Sequence, residues 1–349
     1  MTDINWNRYP SLAQVSRAKT WLQIQANLCL APNTIEAYGR ALEDFLSFSN
    51  NCNVIPDIAT KEHIAKYVRD LTTRPNPRYI NSKYSGNPVY GLANATLQQK
   101  LTAVRLYYDY LMEEGLRSNN PVGRGKYTPG KTFGGQRERG LIPRYTKLPW
   151  IPTGEQWQSI LEAMKGEPLR NRVMLAFSYD AALRREELCS LRINDIDPCH
   201  RTLTIRAEIT KNHLGRVVPY SEATSVLYSA YLKHRRNLSH ERGNLFLSES
   251  RRNYAQPISI WTWSKVVKKI AERSGVEQFT THTLRHLCLT DLARNHWDIH
   301  QIAAFAGHKS ISSTQLYIHL SGRDLAEKLE RGMAAIHSWR ISMIATVLK

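Results

Sequence analysis

Residues 281–317 read THTLRHLCLTDLARNHWDIHQIAAFAGHKSISSTQLY. Early in this stretch, Leu284, Leu287 and Cys288 have the spacing of a buried helical face. His282 and Arg285 lie three residues apart, so a helix places both on one face at its beginning. Two side chains that can carry positive charge are therefore predicted to point in the same direction.

A second helix is predicted to begin at Asp298, because Asp at an N-cap with Gln301 three residues later forms a capping box. Gly307 is expected to end this helix, since glycine readily adopts the left-handed backbone of a helix C-terminus. His308 then lies in a turn.

A third helix is predicted around Tyr317. Leu316 and Leu320 are four residues apart and are expected to face the core, which would turn Tyr317 elsewhere. A phenol near arginine and histidine suggests a nucleophile that attacks a phosphate, because tyrosine can form a phosphoester and arginine can neutralise the developing charge. Taken alone, the pattern also fits a core helix with a few satisfied polar groups.

Two upstream segments carry complementary side chains. Glu187 follows Arg184 by three residues, and a carboxylate one helical turn away can hold a guanidinium in place. Residues 203–207 alternate apolar with polar, and residues 216–220 read as a second extended segment. These segments predict a β-hairpin with Lys211 at its tip.

Together these segments resemble the tyrosine recombinases, also called phage-type integrases, a family that includes Xer-like and Cre-like enzymes. Four motifs occur in the family's order: ALR at 182–184 followed by Glu187, KNHLGRVVP at 211–219, HTLRH at 282–286, and AGH at 306–308 followed by Tyr317. The family more usually has Gly before the Leu-Arg pair, so Ala182 departs from the pattern. Each motif alone is weak, but four in order on a basic chain are specific.

The resemblance implies a mechanism. Tyr317 would attack a scissile phosphodiester to give a 3′-phosphotyrosyl link and a free 5′-hydroxyl, with no metal, no ATP and hence no cofactor. Arg184 and Arg285 would clamp the non-bridging oxygens. Two residues would transfer protons: Lys211 as general acid for the 5′ oxygen and His282 as a partner of the tyrosine. His308 would form a further hydrogen bond to phosphate, and Glu187 would orient the first arginine. Arg216 is a candidate DNA contact.

Several assignments have rivals. Arg185, next to the first arginine, would face another side of the helix, toward DNA phosphate or solvent. His213 lies on the same turn as Lys211 and could share its task. His286 follows His282 by four residues, and His-x-x-x-His can bind zinc on a helix, although the Glu of the metalloprotease pattern is missing here. No metal site is predicted.

Other aromatic residues of this half compete less well. The phenols of Tyr220, Tyr231 and Tyr254 follow no Gly-His pair at the interval of the family motif, so Tyr317 stays the predicted nucleophile. Trp261 and Trp263 are expected to pack within the domain rather than to stack on bases.

The length of 349 residues exceeds a usual single core and predicts two domains, with 42% hydrophobic residues to fill them. The expected fold is mainly α with a small β-hairpin or sheet. A helical domain is predicted over 1–117, a basic flexible linker over 118–152, and a mixed α+β catalytic domain over 153–349. The first domain resembles the core-binding domain of the recombinases, although a generic helical bundle would read the same way.

Helix signals give approximate boundaries. In the first domain, helices are predicted over 11–30, 33–49, 60–71 and 94–115, the second with Asn33 and Glu36 as a capping box. In the catalytic domain, Thr153 and Gln156 form another capping box, and helices are predicted over 221–236 and 259–273.

The charge balance predicts a polyanionic partner. The chain has 48 Lys and Arg against 30 Asp and Glu, a formal net charge of +18. Phosphate backbones are the commonest partner of such a surplus. The excess spreads over both halves and the linker, which favours a protein that wraps a duplex.

Two segments supply candidate DNA contacts. Residues 72–93 form a long loop of basic and tyrosine residues that either reaches DNA or is a mobile surface loop. Residues 118–152 hold six glycines, five prolines and seven basic residues against one acid, as expected of a strap that closes around a duplex. The candidate DNA-binding residues of these segments are Arg74, Arg78, Lys83, Arg124, Lys126, Lys131, Arg137 and Arg139.

The five cysteines are odd in number and contain no C-x-x-C, which favours reduced and mostly buried thiols in a cytosolic protein. No apolar run is long enough to span a bilayer. The expected location is the bacterial cytoplasm, in association with the nucleoid, without a membrane partner.

Three functions stay open: a site-specific recombinase of the integrase or transposase type, a type IB topoisomerase, and a non-catalytic DNA-binding protein on the same fold. The first is favoured, with a specific double-stranded DNA site as its partner. The resemblance implies a homotetramer on that DNA, assembled by exchange of a C-terminal helix predicted over 324–336. A partner recombinase or an accessory protein is also possible.

Overall fold

The computed structural model describes residues 3–76, 90–122, 141–143, 145 and 148–320. The chain divides into two compact units, Met1–Lys147 and Leu148–Lys349. The division falls inside the segment predicted as a linker, 118–152. Residues 142 and 143 of this segment pack on the helix at 94–113 of the first unit: the side chain of Asn94 donates to the carbonyl of Pro143 at 2.9 Å, and that of Gln98 donates to the carbonyl of Ile142 at 3.0 Å.

The described part of the first unit is helical. Its helices are α1 (Pro10–Gln14), α2 (Ser16–Asn27), α3 (Pro32–Asn51), α4 (Lys61–Thr73) and α5 (Asn94–Glu113). Their apolar faces enclose one core with Trp21, Phe45, Tyr67 and Tyr107 among its buried rings. The segment 11–30 is two helices rather than the predicted one, because Val15 has an extended backbone that ends α1 and caps α2.

Helix α3 does not begin with the predicted capping box of Asn33 and Glu36. Its N-cap is Ala31, without a side-chain hydrogen bond, and Pro32 occupies the first helical position. Proline suits that position because its missing N–H would have no helical partner there. Glu36 instead forms ion pairs with Arg8 and Arg40.

The second unit combines helices with a small sheet. Its described elements are α6 (Gly154–Lys165), α7 (Leu169–Asp180), α8 (Arg185–Cys189), β1 (Ile196–Asp197), β2 (Thr202–Ile205), β3 (Arg216–Pro219), α9 (Glu222–Leu238), α10 (Ile260–Ser274), α11 (Thr283–Arg294), α12 (Ile299–Ala306) and α13 (Ser312–Leu320). The predicted mainly helical fold with a small sheet is confirmed. So are the capping boxes at Thr153 and Asp298.

The sheet is antiparallel with the order β1-β2-β3, so the predicted hairpin gains a third strand. Leu203 in β2 pairs with Ile196 on one side and Val218 on the other. Next to the connection between β2 and β3, Ile205 pairs with Arg216, which fixes Arg216 at the beginning of β3. The connection between these strands contains a 3₁₀ turn, Ala207–Ile209, so it is longer than a tight hairpin turn.

Two apolar clusters support the site. The larger one surrounds α7 and includes Phe177, Tyr231, Phe246 and Trp263. The smaller one lies among α11, α12 and α13 and is formed by Ala182, Cys288, Leu289, Ala293, Ile302, Ala306 and Tyr317. This smaller cluster holds together the ends of the segments that carry the sequence motifs.

The cysteines are free thiols, but the expectation that they are mostly buried is wrong. Cys189 and Cys288 are buried, whereas Cys29, Cys52 and Cys199 are exposed. Within the ranges that the structure describes, no helix combines the length and the apolar character that a membrane crossing needs.

Candidate active site

Arg184 stands directly before α8, where its extended backbone makes it the N-cap rather than a residue within the helix. Glu187 accepts hydrogen bonds from the backbone N–H of Arg184 at 2.9 Å and from its guanidinium at 2.8 Å. The guanidinium also donates to the carbonyl of Gly307 at 3.2 Å. The contact that the sequence predicts between Arg184 and Glu187 is present, and the arginine is pointed toward the end of α12.

Glu187 also holds an arginine from β3. Arg216 donates to both carboxylate oxygens of Glu187, at 3.1 and 2.8 Å, and its Nε donates to the carbonyl of Phe305 at 2.9 Å. Only 8% of the Arg216 side chain and 1% of the Glu187 side chain are exposed. Burial would raise the pKa of Glu187, but its bonds to Arg216 and Arg184 lower it to about 2. Arg216 thus ties β3 to α8 and α12, and its role as a DNA contact stays a prediction.

Gly307 allows this close packing. Its φ of +64° lies in the left-handed region, and a Cβ there would stand 3.0 Å from a guanidinium nitrogen of Arg216. The predicted helix end at Gly307 is therefore confirmed, with a second reason for glycine besides the backbone conformation.

Arg285 lies in the first turn of α11 and is 4% exposed. Its guanidinium donates to the carbonyls of Ala182 at 2.5 Å and Ala306 at 2.7 Å, and it lies 3.0 Å from Nε2 of His308. Within the described chain, no carboxylate forms an ion pair with it. Burial and the nearby charge of Arg184 lower the pKa of Arg285 to about 10, so it remains a cation at neutral pH.

His308 follows the helix end and faces both arginine and threonine. Its Nε2 lies 3.0 Å from Arg285, and its Nδ1 lies 2.9 Å from Oγ1 of Thr314. Because a guanidinium can only donate, Nε2 accepts here and Nδ1–H donates to the threonine. Burial and the charge of Arg285 lower the pKa of His308 to about 4. A hydrogen bond from Nε2 to a phosphate would therefore require a proton to arrive on that nitrogen.

Tyr317 in α13 is 3% exposed. The expectation that Leu316 faces inward and Tyr317 faces elsewhere is wrong, since Leu316 is only partly buried. Helix α13 packs on α11 and α12 through the face of Thr314 and Tyr317, which are three residues apart and both buried. The side chain of Leu320 lies outside the described residues.

The phenol of Tyr317 lies between two imidazoles. Its oxygen is 3.0 Å from Nδ1 of His286, and its ring stacks on His308 with centroids 6.1 Å apart and planes at 6°. Burial raises the pKa of Tyr317, while the charges of Arg285 and Arg184 act in the opposite direction. Burial also lowers the pKa of His286 to about 4, so this imidazole is neutral at neutral pH.

Lys211 is exposed in the connection between β2 and β3. Its neighbour Asn212 donates to the carbonyl of Gly307 at 3.4 Å, which brings this turn beside His308. His213 is also exposed and has a φ of +53°. The structure thus places the lysine turn at the edge of the arginine and histidine cluster.

Residues 152–323 match the model of the phage integrase family. The chain belongs to this family. Among its relatives, tyrosine recombinase XerD of Halalkalibacterium halodurans is 25% identical over 304 residues, which cover 84% of this chain and 88% of that protein. Transposase A from transposon Tn554 of Staphylococcus aureus is 25% identical over 319 residues, with 86% of each chain covered.

Two solved structures share the fold of this recombinase. XerH site-specific recombinase bound to palindromic difH substrate, in a post-cleavage complex, gives a TM-score of 0.61 at 20% identity, over 84% of this chain and 78% of that one. The Tn1549 transposon integrase in complex with transposon right end DNA gives 0.63 at 16% identity, over 90% and 97%. The predicted family and fold are confirmed, and the chain is a tyrosine recombinase family enzyme of DNA recombination.

His282 and Arg185 flank the cluster of this recombinase. His282 is the N-cap of α11, and partial burial and the charge of Arg185 lower its pKa. Arg185 donates to Oγ of Ser264 at 3.1 Å, and its guanidinium lies 5.8 Å from the ring centroid of Trp261. Trp261 is 69% exposed whereas Trp263 is fully buried, so the expectation that both tryptophans pack inside is right only for Trp263.

The zinc alternative lacks a ligand set. The rings of His282 and His286 have centroids 6.4 Å apart. Across the described residues, no group of three or more His, Cys, Asp or Glu side chains is arranged to hold a metal ion. His286 instead contacts the phenol of Tyr317.

The candidate DNA contacts outside the second unit are described at one position. Arg74 forms two hydrogen bonds with the carboxylate of Asp44, at 2.9 and 2.6 Å, so its charge is matched within the protein. Its role on DNA stays a prediction. The C-terminal helix predicted over 324–336 lies outside the described residues. So do seven of the basic candidates: Arg78, Lys83, Arg124, Lys126, Lys131, Arg137 and Arg139.

Two residues make contacts in the site that the sequence did not indicate. His286 contacts the nucleophile candidate, although its spacing from His282 suggested only a metal ligand. Arg216 anchors Glu187 and the carbonyl at the end of α12, although it was predicted to contact DNA. The sequence placed Arg216 at the beginning of an extended segment, but its pairing with Glu187 depends on how β3 packs on α8.

Proposed function

We propose that this recombinase is a site-specific enzyme of the integrase or transposase type that cleaves and rejoins DNA strands through a 3′-phosphotyrosyl intermediate, without metal or ATP. The observation that carries the proposal is the placement of a phenol, Tyr317, against two imidazoles in a pocket whose arginines outnumber its acids.

Charge supports a phosphate as the ligand of this pocket. Arg184, Arg216 and Arg285 contribute three positive charges, and Glu187 contributes one negative charge. A buried surplus of cations is unfavourable unless an anion compensates it. A phosphodiester does so, and it gains negative charge on its non-bridging oxygens as the nucleophile adds, so planar guanidinium groups stabilise the transition state more than the ground state.

Strand cleavage follows from these parts. The oxygen of Tyr317 attacks phosphorus, the bond from phosphorus to the 5′ oxygen breaks, and Lys211 on its exposed turn delivers a proton to that leaving oxygen. One phosphoester replaces another, so the 5′-hydroxyl of a second strand can rejoin the DNA by the reverse step. This conservation of bond energy is why no nucleotide cofactor is needed.

Access to the pocket requires movement. Tyr317 and Arg285 are 3% and 4% exposed, so a phosphate reaches them only when the packing of α13 on α11 and α12 opens. Opening costs free energy, because the cluster that includes Tyr317 contains seven buried residues. The energy of DNA binding is the available source of that free energy.

The wider arrangement is part of the proposal. Residues 1–117 act as a core-binding domain and residues 153–349 as a catalytic domain, joined by the basic segment 118–152, so that the chain closes around a specific duplex site. The solved DNA complexes of XerH and of the Tn1549 integrase support this use of the fold. Strand exchange between two duplexes then takes place in a homotetramer in the bacterial cytoplasm, with exchange of the C-terminal helix and, where the element needs it, a partner recombinase or accessory protein.

Covalent trapping tests the chemistry. Wild type and Tyr317→Phe are incubated in EDTA with a duplex from the end of the element that carries a nick near the cleavage point, after a mobility shift shows that both bind it. We expect a protein–DNA adduct on denaturing gels with wild type only. Bound DNA without an adduct would favour a non-catalytic DNA-binding protein, and an adduct with supercoil relaxation but no pairing of duplexes would favour a type IB topoisomerase.

A further inference from the structure

The imidazole that meets the phenol oxygen of Tyr317 is that of His286, to which the family motif roles assign no task. We propose that His286 accepts the proton of Tyr317 during strand cleavage and returns it during rejoining. This inference rests on the proposed function, because it needs Tyr317 as the nucleophile.

The geometry is that of a proton-transfer pair. Oη of Tyr317 and Nδ1 of His286 are 3.0 Å apart, and their ring centroids are 5.8 Å apart. A general base must lie within about 2.6–3.2 Å of the atom from which it takes a proton. The backbone of His286 is fixed in α11, where its N–H donates to the carbonyl of His282 at 3.0 Å and its carbonyl accepts from Thr290 at 2.8 Å.

The protonation state suits an acceptor. Burial lowers the pKa of His286 to about 4, with His282 and Arg285 acting in the same direction, so the ring is neutral at physiological pH. A neutral imidazole has one nitrogen with a free lone pair, and a phenol O–H needs such an acceptor. An incoming phosphodiester brings negative charge to the same pocket, which raises the proton affinity of His286 when the reaction begins.

His282, to which the family resemblance gives this task, lies one helical turn before His286 in the chain. Its ring centroid is 6.4 Å from that of His286, and it caps α11 at the surface. The alternative partner, His308, uses Nε2 to accept from Arg285 and Nδ1 to donate to Thr314, so both of its nitrogens are engaged. His286 is therefore the imidazole whose acceptor nitrogen faces the nucleophile.

The step balances without another reactant. As the bond from Oη to phosphorus forms, the O–H bond of Tyr317 breaks and its proton moves to Nδ1 of His286. The bond from phosphorus to the 5′ oxygen breaks, and Lys211 protonates that oxygen. In rejoining, Lys211 accepts the proton of the attacking 5′-hydroxyl, and His286 returns its proton to the departing phenol oxygen.

The test separates the two half-reactions. His286→Asn keeps a hydrogen-bonding amide near the position of Nδ1 but cannot carry the proton. Cleavage is measured as adduct formation on the nicked duplex. Joining is measured with a strand whose 3′ phosphate already bears 4-nitrophenol, a leaving group that departs without a proton.

We expect His286→Asn to slow adduct formation by roughly 10²–10⁴-fold and to join the nitrophenyl strand within a few-fold of wild type. Tyr317→Phe is the matched control, since it should form no adduct and still join that strand. Lys211→Ala should slow joining, which shows that the joining assay detects proton transfer at the 5′ oxygen.

Two results would overturn the inference. One is adduct formation by His286→Asn at the wild-type rate. The other is an equal loss of both half-reactions, which would mean that His286 supports the whole site rather than the phenol of Tyr317. Failure of the wild type itself to form an adduct on bound DNA would instead reject the proposed function.

Discussion

Two carboxylates, the half-buried Asp44 in the first unit and the buried Glu187 in the second, each hold a pair of cations, and the difference between them indicates which one serves the proposed function. Asp44 in α3 accepts two hydrogen bonds from Arg74, lies 3.0 Å from Nζ of Lys100 and accepts from the phenol of Tyr67 at 2.6 Å. Asp70 stands 3.5 Å from the same arginine. Two cations therefore meet two acids, and the cluster is neutral.

Glu187 is also shared between two cations, Arg184 and Arg216, but its surroundings are not balanced. Arg285 lies in the same pocket with carbonyls and an imidazole as partners rather than a carboxylate. A buried ion pair by itself is poor evidence of function, because structural networks also shift pKa values. The unmatched arginine beside a phenol is what points to an anionic substrate.

The largest expected contrast comes from removing one arginine from each cluster. Arg285→Ala should slow adduct formation by roughly 10²–10³-fold at saturating DNA, because it removes charge that stabilises the transition state. Arg74→Ala should leave that rate within a few-fold but lower the free energy of unfolding by about 2 kcal/mol, since Asp44 loses two charge-assisted hydrogen bonds.

Single-turnover cleavage and urea unfolding measure the two quantities. If Arg74→Ala slowed cleavage of saturating DNA as strongly as Arg285→Ala, the cluster around Asp44 would also take part in catalysis. The proposed difference between the two clusters would then be wrong.

The pH dependence of stability tests whether Arg184 and Arg216 lower the pKa of Glu187. Its pKa is about 2 in the folded protein against a usual value of 4.5. A depressed carboxyl pKa contributes stability that is fully present above the unfolded pKa and is lost as pH falls through the folded one. We expect this residue to contribute about 3 kcal/mol, lost between about pH 4.5 and 2.

Urea unfolding of wild type and Glu187→Gln at several pH values between 7 and 3 measures this contribution. The free energy of unfolding of the variant should be lower at neutral pH and should fall less steeply with acid. Parallel curves for the two proteins would mean that the arginines do not depress the pKa of Glu187.

A smaller effect is expected from Arg216→Lys. Lysine keeps the charge, but it cannot donate to both oxygens of Glu187 and to the carbonyl of Phe305 together. Looser placement of Arg184 and His308 should slow cleavage by about tenfold, a change of about 1.4 kcal/mol in the barrier. Val217→Thr, at an exposed neighbouring position of β3, is the matched control and should cleave as wild type does.

The smallest effect is expected at Ala182. Its φ of +46° is in the left-handed region, which costs an L-residue about 1–2 kcal/mol and accounts for the glycine more usual there in the family. Its methyl group is buried against the cluster of Tyr317, and burial of a methyl group is worth about 0.8 kcal/mol. Ala182→Gly should therefore change the free energy of unfolding by less than about 1 kcal/mol, as denaturant titration would show.

Local features of the fold were predictable because nearby residues determine them. The capping boxes at Thr153 and Asp298, the helix end at Gly307 and the contact between Arg184 and Glu187 each involve residues within a few positions of one another. The Asn33 capping box failed for an equally local reason, since the preceding proline already starts the helix.

Contacts between distant segments were not predictable in the same way. The spacing of α13 allows either the face of Leu316 or that of Tyr317 to turn inward, and packing on α11 decides it. The bond between His286 and Tyr317 spans 31 positions, and that between Arg216 and Phe305 spans 89. The sequence motifs identified the candidate site residues, but only the folded structure shows which of them are in contact.

The most direct measurement is to map the residue that carries the DNA. The trapped adduct is digested with protease and nuclease, and the peptide that retains a nucleotide phosphate is sequenced by mass spectrometry. We expect the modified residue to be Tyr317. A nucleotide on Tyr254, the exposed phenol of the same unit, or on any residue other than Tyr317 would contradict it.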